Sequence, residues 1–162
     1  MNNDFLDLLH RLTQNNVEFV LIGGFAAAMY GATMVTEDID ICCSFSTENL
    51  LRLHDAIKDL HPVHRMTPNK IPFALTPQNA AEFKNLYLAT DLGPLDCLST
   101  VEGIGSFEQV AKASQRFETG GLILSVLSLN ALIEAKKALN RPRDQEAVIQ
   151  LKAIQQLNKL NP

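Results

Sequence analysis

The feature that most constrains the fold is the stretch of residues 20–43, in which a short alanine-rich segment lies between two apolar runs. The first run, residues 17–22, predicts a buried strand that ends at the diglycine Gly23-Gly24. Residues 25–30 then predict a helix, which Gly31 can end in a left-handed conformation. The second run, residues 39–43, predicts another strand. A strand that turns through glycine into a helix and is followed by a further strand favours an α/β fold.

The same stretch carries residues suited to phosphate and to a metal ion. A diglycine at a strand-to-helix turn lets phosphate oxygens approach backbone N–H groups. Asp38 and Asp40 are two residues apart at the start of the second strand, so their carboxylates point to the same face. Two carboxylates on one face can hold a hard divalent cation, and that cation can in turn hold a nucleoside triphosphate. This combination indicates nucleotidyl transfer.

Length, charge and cysteine content set broader bounds. The 162 residues predict one domain, 1–162. The net charge of −4 argues against bulk nucleic-acid binding. No stretch approaches the roughly 20 apolar residues of a membrane span, and the first residues are acidic rather than signal-like, so we expect a cytoplasmic protein with no membrane partner. Cys42, Cys43 and Cys97 lie in predicted strands, where small buried thiols are expected.

The rest of the chain predicts alternating helices and strands. Apolar periodicity and capping signals predict helices over residues 5–12, 47–59, 106–113, 128–139 and 143–158. Residues 60–77 contain four prolines and predict mostly loop, with one short strand at 71–75. Further strands are predicted at 85–91 and 95–99, and a hairpin at Gly120-Gly121. Together these elements predict a mixed sheet with helices mainly on one face and the acidic site on the other.

Asp96 is the candidate for a third carboxylate. It interrupts an otherwise apolar predicted strand, and strand interiors rarely carry an acid without a reason. A third carboxylate would complete a metal site and could accept a proton from an acceptor hydroxyl. The alternative is a solvated position on an edge strand beside a Gly-Pro turn.

Lys136 is unusual because it falls on the apolar face of a predicted helix. That face is defined by Leu129, Leu132, Ile133 and Leu139. A lysine in this position either extends to solvent or meets an anion, and a triphosphate is one such anion.

The turn after this helix carries further charge. Arg141 and Arg143 flank a proline and could bind phosphate or acceptor, although the helix dipole alone also favours cations there. Asp144 follows in the first turn of the last helix. The dipole or a salt bridge to a nearby cation explains it without catalysis.

These motifs resemble those of the nucleotidyltransferase superfamily, which includes DNA polymerase beta. The diglycine, thirteen intervening residues, Asp-x-Asp and a later strand aspartate stand in that family's order. The chain is most similar to small prokaryotic nucleotidyltransferases, including abortive-infection type toxins. Their pattern places Ala26, Gly31 and Thr36 as found here, and the segment of residues 132–148 matches their closing helix, basic turn and aspartate-bearing helix.

The resemblance implies a function and its parts. The reaction would transfer a nucleoside monophosphate from an NTP to an acceptor hydroxyl and release pyrophosphate. Magnesium, or manganese in its place, would be held by three catalytic aspartates, and the nucleotide would be bound by a second set of residues. The aspartates are Asp38, Asp40 and Asp96, and the nucleotide-binding set is Gly23, Gly24, Thr36 and Lys136. The acceptor is left open among a small molecule, a tRNA and a protein, and a homodimer or a cognate antitoxin chain is the expected partner.

One position departs from the family pattern. Relatives usually carry an arginine two residues before the threonine, where this chain has Met34. The alternative function is therefore a catalytically silent nucleotidyltransferase-like binding module, or the toxin component of a toxin–antitoxin pair.

Overall fold

The structure, a computed structural model, describes residues 3–161. Residues 1–2 and 162, at the two ends of the predicted domain, lie outside the described residues. The helices are α1 Asn3–Gln14, α2 Gly23–Met29, α3 Thr47–Ile57, α4 Phe107–Lys112, α5 Leu129–Leu139 and α6 Pro142–Leu160. The strands are β1 Phe19–Ile22, β2 Ile39–Cys43, β3 Val63–His64, β4 Asn85–Thr90, β5 Gly93–Leu98, β6 Thr100–Val101, β7 Gly105–Ser106, β8 Ser114–Thr119 and β9 Leu122–Leu127.

Seven of these strands form one sheet in the order β3-β4-β5-β2-β1-β9-β8. β2 runs parallel to β5 and β1 runs parallel to β9, whereas the other neighbours are antiparallel. The sheet is therefore mixed, and the predicted fold class is confirmed. None of the helices among residues 3–161 is both long and apolar enough to cross a membrane.

The strand register places Ile22 and three polar side chains in one row across the sheet. Ile22 pairs with Asp40, Asp40 with Asp96, and Asp96 with Tyr87. Directly paired residues face the same side of a sheet, so these four side chains share a face. Their strand neighbours point to the opposite face and are fully buried, namely Leu21, Ile39, Ile41, Leu86, Leu88, Leu95 and Cys97. The apolar face provides the core, and the row leaves the carboxylates on the other face.

Local sequence signals explain most element boundaries. The Ser46 side chain accepts a hydrogen bond from the Asn49 backbone N–H and begins α3. At the start of α4, Gln109 accepts from the Ser106 backbone N–H over 2.9 Å, as the predicted capping box requires. α2 begins at Gly23, two residues earlier than predicted, because the diglycine itself forms the first turn.

The strand predicted at residues 71–75 is wrong. The short strand of this region is β3, at Val63–His64, and Pro72 forms only an isolated bridge with Val63. Proline has no backbone N–H to donate, so it interrupts a ladder of hydrogen bonds. Phe73 and Leu75 are nevertheless buried, which accounts for the apolar pattern that suggested a strand.

The three cysteines are buried free thiols, as the sequence predicted. Cys42 lies on the face that carries Asp40, and Cys43 lies on the opposite face with Ile41. Burial raises the pKa of the Cys42 thiol to about 12, so this thiol stays protonated.

Candidate active site

Three carboxylates form the centre of the site. Asp38 immediately precedes β2, Asp40 lies within β2, and Asp96 lies opposite Asp40 on β5. One carboxylate oxygen from each lies within 4.8 Å of the others. The structure thus brings together the three aspartates that the sequence singled out. The edge-strand alternative for Asp96 is wrong, because β5 lies between β4 and β2 and only 8% of Asp96 is exposed.

Burial and the neighbouring carboxylates raise the pKa of Asp40 and of Asp96. Burial, followed by repulsion from Asp38 and Asp96, raises the pKa of Asp40 to about 7. Burial also raises the pKa of Asp96, although Arg65 partly opposes that shift. An oxygen-rich donor set whose charges repel one another is suited to a hard divalent cation, which would offset that repulsion. The residues present therefore fit a magnesium ion.

Gly23 brings the backbone against the carboxylate cluster. Its φ of +71° lies in the left-handed region that favours glycine. A Cβ atom at this position would collide with the carboxylate of Asp40. The start of α2 therefore lies directly beside the metal-ligand candidates, and any side chain here would occupy that space.

Gly24 and Thr36 pack together on the same side of α2. A Cβ atom at Gly24 would lie 3.1 Å from Cβ and Oγ1 of Thr36, which is tighter than ordinary contact. The Thr36 hydroxyl donates to the backbone carbonyl of Asp38 over 2.9 Å. Thr36 thus orients the loop that carries Asp38, a contact distinct from its predicted role in nucleotide binding.

Arg65 is a residue of the site that the sequence analysis missed. It follows β3, and its guanidinium binds both carboxylate oxygens of Asp96, with its Nη2 at 2.6 Å from Oδ1 and 2.5 Å from Oδ2. Its positive charge also interacts with Asp38 and Asp40. The pairing spans 31 residues of sequence. No local pattern distinguishes Arg65 from other polar residues of a proline-rich loop.

A second charged group lies between α5 and α6. Lys136 Nζ is 3.3 Å from Asp144 Oδ1, and Arg141 Nε donates to Asp144 Oδ2 over 2.6 Å. Asp144 is fully buried, and this salt bridge is one of the two explanations that the sequence left open for it. Burial raises its pKa, but the hydrogen bonds from Arg141 and Lys136 together hold that pKa below its ordinary value.

This second group is close enough to influence the aspartate cluster. Lys136 and Arg141 each interact electrostatically with Asp40. The anion that Lys136 meets in the structure is the carboxylate of Asp144. Met34 is partly buried in the loop before β2, and Arg143 is exposed.

Comparison of sequences gives no relative. No model of a known protein family matches the chain, and no curated protein matches it either. Comparison with solved structures does find similar proteins.

Several solved structures share this fold over almost their whole length. The lincosamide antibiotic adenylyltransferase LnuA, solved with lincomycin bound, superposes with a TM-score of 0.64 at 16% identity, covering 95% of this chain and 98% of its own. ANT(2")-Ia, solved with adenylyl-2"-tobramycin, superposes with a TM-score of 0.57 at 14% identity. The match covers 99% of this chain and 97% of that of ANT(2")-Ia. A candidate nucleotidyltransferase from Thermotoga maritima, TM1012, superposes with a TM-score of 0.56 at 18% identity, and the match covers 96% of each chain. The chain therefore has the nucleotidyltransferase fold that its sequence motifs resemble.

Proposed function

We propose that this protein is a magnesium-dependent nucleotidyltransferase that transfers a nucleoside monophosphate from an NTP to an acceptor hydroxyl. The observation that carries the proposal is the aspartate cluster beside Gly23. Three carboxylates that fit a divalent cation lie against the first turn of a helix whose backbone can approach phosphate. The fold shared with antibiotic adenylyltransferases supports the same conclusion.

The three aspartates would hold the cation. Bound there, magnesium supplies positive charge to the triphosphate and to the departing pyrophosphate. Asp38 and Asp40 would act as ligands from the start of β2, and Asp96 would complete the set from β5. As the acceptor oxygen attacks the α-phosphorus, the bond from that phosphorus to pyrophosphate breaks, and Asp96 accepts the proton of the hydroxyl. Arg65 holds the Asp96 carboxylate in place through three hydrogen bonds.

The pyrophosphate side of the site would lie at α2 and α5. The backbone N–H groups of Gly23 and Gly24 belong to a first helical turn, where such groups lack partners within the helix. Lys136 and Arg141 add positive charge, and the buried Asp144 fixes both side chains. We assign this group to the β- and γ-phosphates, because charge-assisted hydrogen bonds to phosphate are strong and directional.

The acceptor is proposed to be a small molecule. LnuA and ANT(2")-Ia were both solved with antibiotics or their adenylylated products, and each matches this chain over nearly its whole length. One domain over the length of this chain would thus be the catalytic unit. A second copy of the chain is the proposed partner in completing the cleft, and size-exclusion chromatography with light scattering measures that state.

Transfer of label from an NTP tests the function. Wild-type protein with magnesium, α-labelled NTP and a panel of hydroxyl compounds should label one of them. Asp38→Asn with Asp40→Asn should abolish transfer, because neutral amides bind magnesium far more weakly than carboxylates. Glu37→Gln is the matched control, since Glu37 is exposed and next to the same loop. Magnesium-dependent NTP binding with no transfer to any small molecule, RNA or protein would favour the silent module or toxin component, to which Met34 also points.

A further inference from the structure

The row of paired residues continues beyond the carboxylates toward the β3 edge. Tyr87 lies opposite Asp96, and the Arg65 backbone N–H donates to the Tyr87 carbonyl over 3.0 Å. The row therefore runs from the start of α2 through Asp40 and Asp96 to Tyr87 and Arg65. The residues proposed to bind the phosphates lie at the α2 end of this row, and Tyr87 lies at the other end.

Arg65 folds back over Tyr87 to reach Asp96. The guanidinium carbon is 5.8 Å from the centre of the tyrosine ring, a distance at which a cation and an aromatic face attract. Arg65 Nη1 also contacts the sulfur of Met66 at 3.4 Å. Tyr87 is 36% exposed and Met66 is 68% exposed. We call these three residues, Arg65, Met66 and Tyr87, the β4 wall.

The chemistry of transfer determines which ligand meets the β4 wall. The attacking and leaving oxygens lie roughly in line on opposite sides of the α-phosphorus. With pyrophosphate at Gly23, Lys136 and Arg141, the α-phosphorus lies over the carboxylates. The acceptor hydroxyl then enters from the side of Asp96 and Tyr87.

We propose that the β4 wall binds the acceptor, and that the acceptor is a hydroxyl-bearing sugar or similar saturated ring with at most one positive charge. This inference rests on the proposed function. The C–H face of such a ring packs on an exposed aromatic side chain, and Met66 offers a soft apolar surface beside it. Tyr87 and Met66 are both exposed, and both contact Arg65.

Charge distribution sets the limit on the acceptor. The carboxylate of Asp96 is already paired with Arg65 through three hydrogen bonds, so the wall presents no free anion for an ammonium group. An ammonium group that paired with Asp96 would have to displace Arg65. A polynucleotide is disfavoured as well, because the chain carries a net charge of −4.

Steady-state transfer kinetics with defined acceptors test the proposal. The probes are lincomycin, which has sugar hydroxyls and one basic amine, tobramycin, which is a polyamine, a set of neutral glycosides, and total tRNA. We expect label in lincomycin or a neutral glycoside and none in tobramycin or tRNA. Tyr87→Ala should raise the acceptor KM about tenfold or more, since an aromatic contact contributes on that order. The KM for NTP should stay within about twofold, because the NTP lies on the far side of the α-phosphorus.

Two further variants separate stacking from general damage. Tyr87→Phe keeps the ring and should restore most of the acceptor affinity, whereas Ile123→Ala, which truncates an exposed apolar residue on β9, should change neither KM. Transfer to tobramycin or tRNA, or an acceptor KM that Tyr87→Ala leaves unchanged, overturns the inference. Magnesium–NTP binding without label in any probe overturns the acceptor class alone. Absence of magnesium–NTP binding overturns the proposed function itself.

Discussion

Asp40 is the residue whose electrostatics most directly report the site. Its pKa of about 7 lies well above the ordinary aspartate value of 3.8, because burial and two neighbouring carboxylates disfavour its ionised form. Between these two pH values the folded protein binds a proton that the unfolded chain releases. The contribution of Asp40 to the free energy of unfolding therefore falls as pH rises from about 4 to about 7, and is then level.

Asp40→Asn should remove this slope. At pH 4 the variant and the wild type should unfold at similar denaturant concentrations, whereas at pH 8 the variant should be the more stable, by up to about 4 kcal/mol for a shift of this size. Chemical denaturation at the two pH values measures the difference. Magnesium at pH 8 should raise the melting temperature of the wild type and not that of the variant. A stability difference that does not change with pH would contradict the electrostatic account.

The structure brings together the predicted residues whose sequence signal is local. Asp38, Asp40 and the diglycine lie within one strand–helix–strand unit, and Asp96 was recognisable as an acid within an apolar strand. Arg65 was not recognisable, because its partner lies 31 positions away and on a different element. The partner of Lys136 is not predictable for a related reason. The sequence indicates that Asp144 can form a salt bridge, but only the packing of α5 on α6 shows that its partners are Lys136 and Arg141.

At the scale of elements, α5 and α6 together position the second charged group. Lys136 is partly buried and bound to Asp144, whereas Lys137, one residue later, is largely exposed and pairs with Glu134. Lys136→Gln should weaken magnesium–NTP affinity about tenfold, as expected for the loss of one charge-assisted hydrogen bond. Lys137→Gln, the matched control, should leave that affinity within about twofold. Calorimetric titration measures the magnesium–NTP affinity of both variants, and their melting temperatures show whether each remains folded.

A fall in NTP affinity that is equal for both lysine variants would show a general charge effect rather than a specific contact. Loss of Lys136 also removes packing of its aliphatic stem, so a stability change alone does not support the assignment.

The strand predicted at residues 71–75 is absent for a definable reason. The apolar residues at 71–75 predicted a strand, yet they pack into the core from an irregular segment that follows Pro68 and contains Pro72. Burial and strand pairing are separate properties. The apolar pattern indicates that residues are buried, but it does not show whether they pair with another strand. The sheet order likewise depends on long-range pairing, such as β1 beside β9, which no local pattern encodes.

At the scale of the whole molecule, the fold brings two opposite charge groups together around one site. The sheet carries the three carboxylates and Arg65, and the closing helices carry Lys136, Arg141 and Asp144. This division explains how motifs far apart in the sequence lie around one site. It also gives the site a direction, with the proposed phosphates toward α2 and α5 and the proposed acceptor toward β4.

In the proposed reaction the transferred group is a nucleoside monophosphate. Comparison of α-labelled with γ-labelled NTP, in the presence of magnesium and the accepted acceptor, tests it most directly. We predict that α label enters the acceptor, that γ label leaves as pyrophosphate, and that Asp38→Asn with Asp40→Asn abolishes both. Appearance of γ label in the acceptor, or α-label transfer that the double substitution leaves intact, would contradict the account.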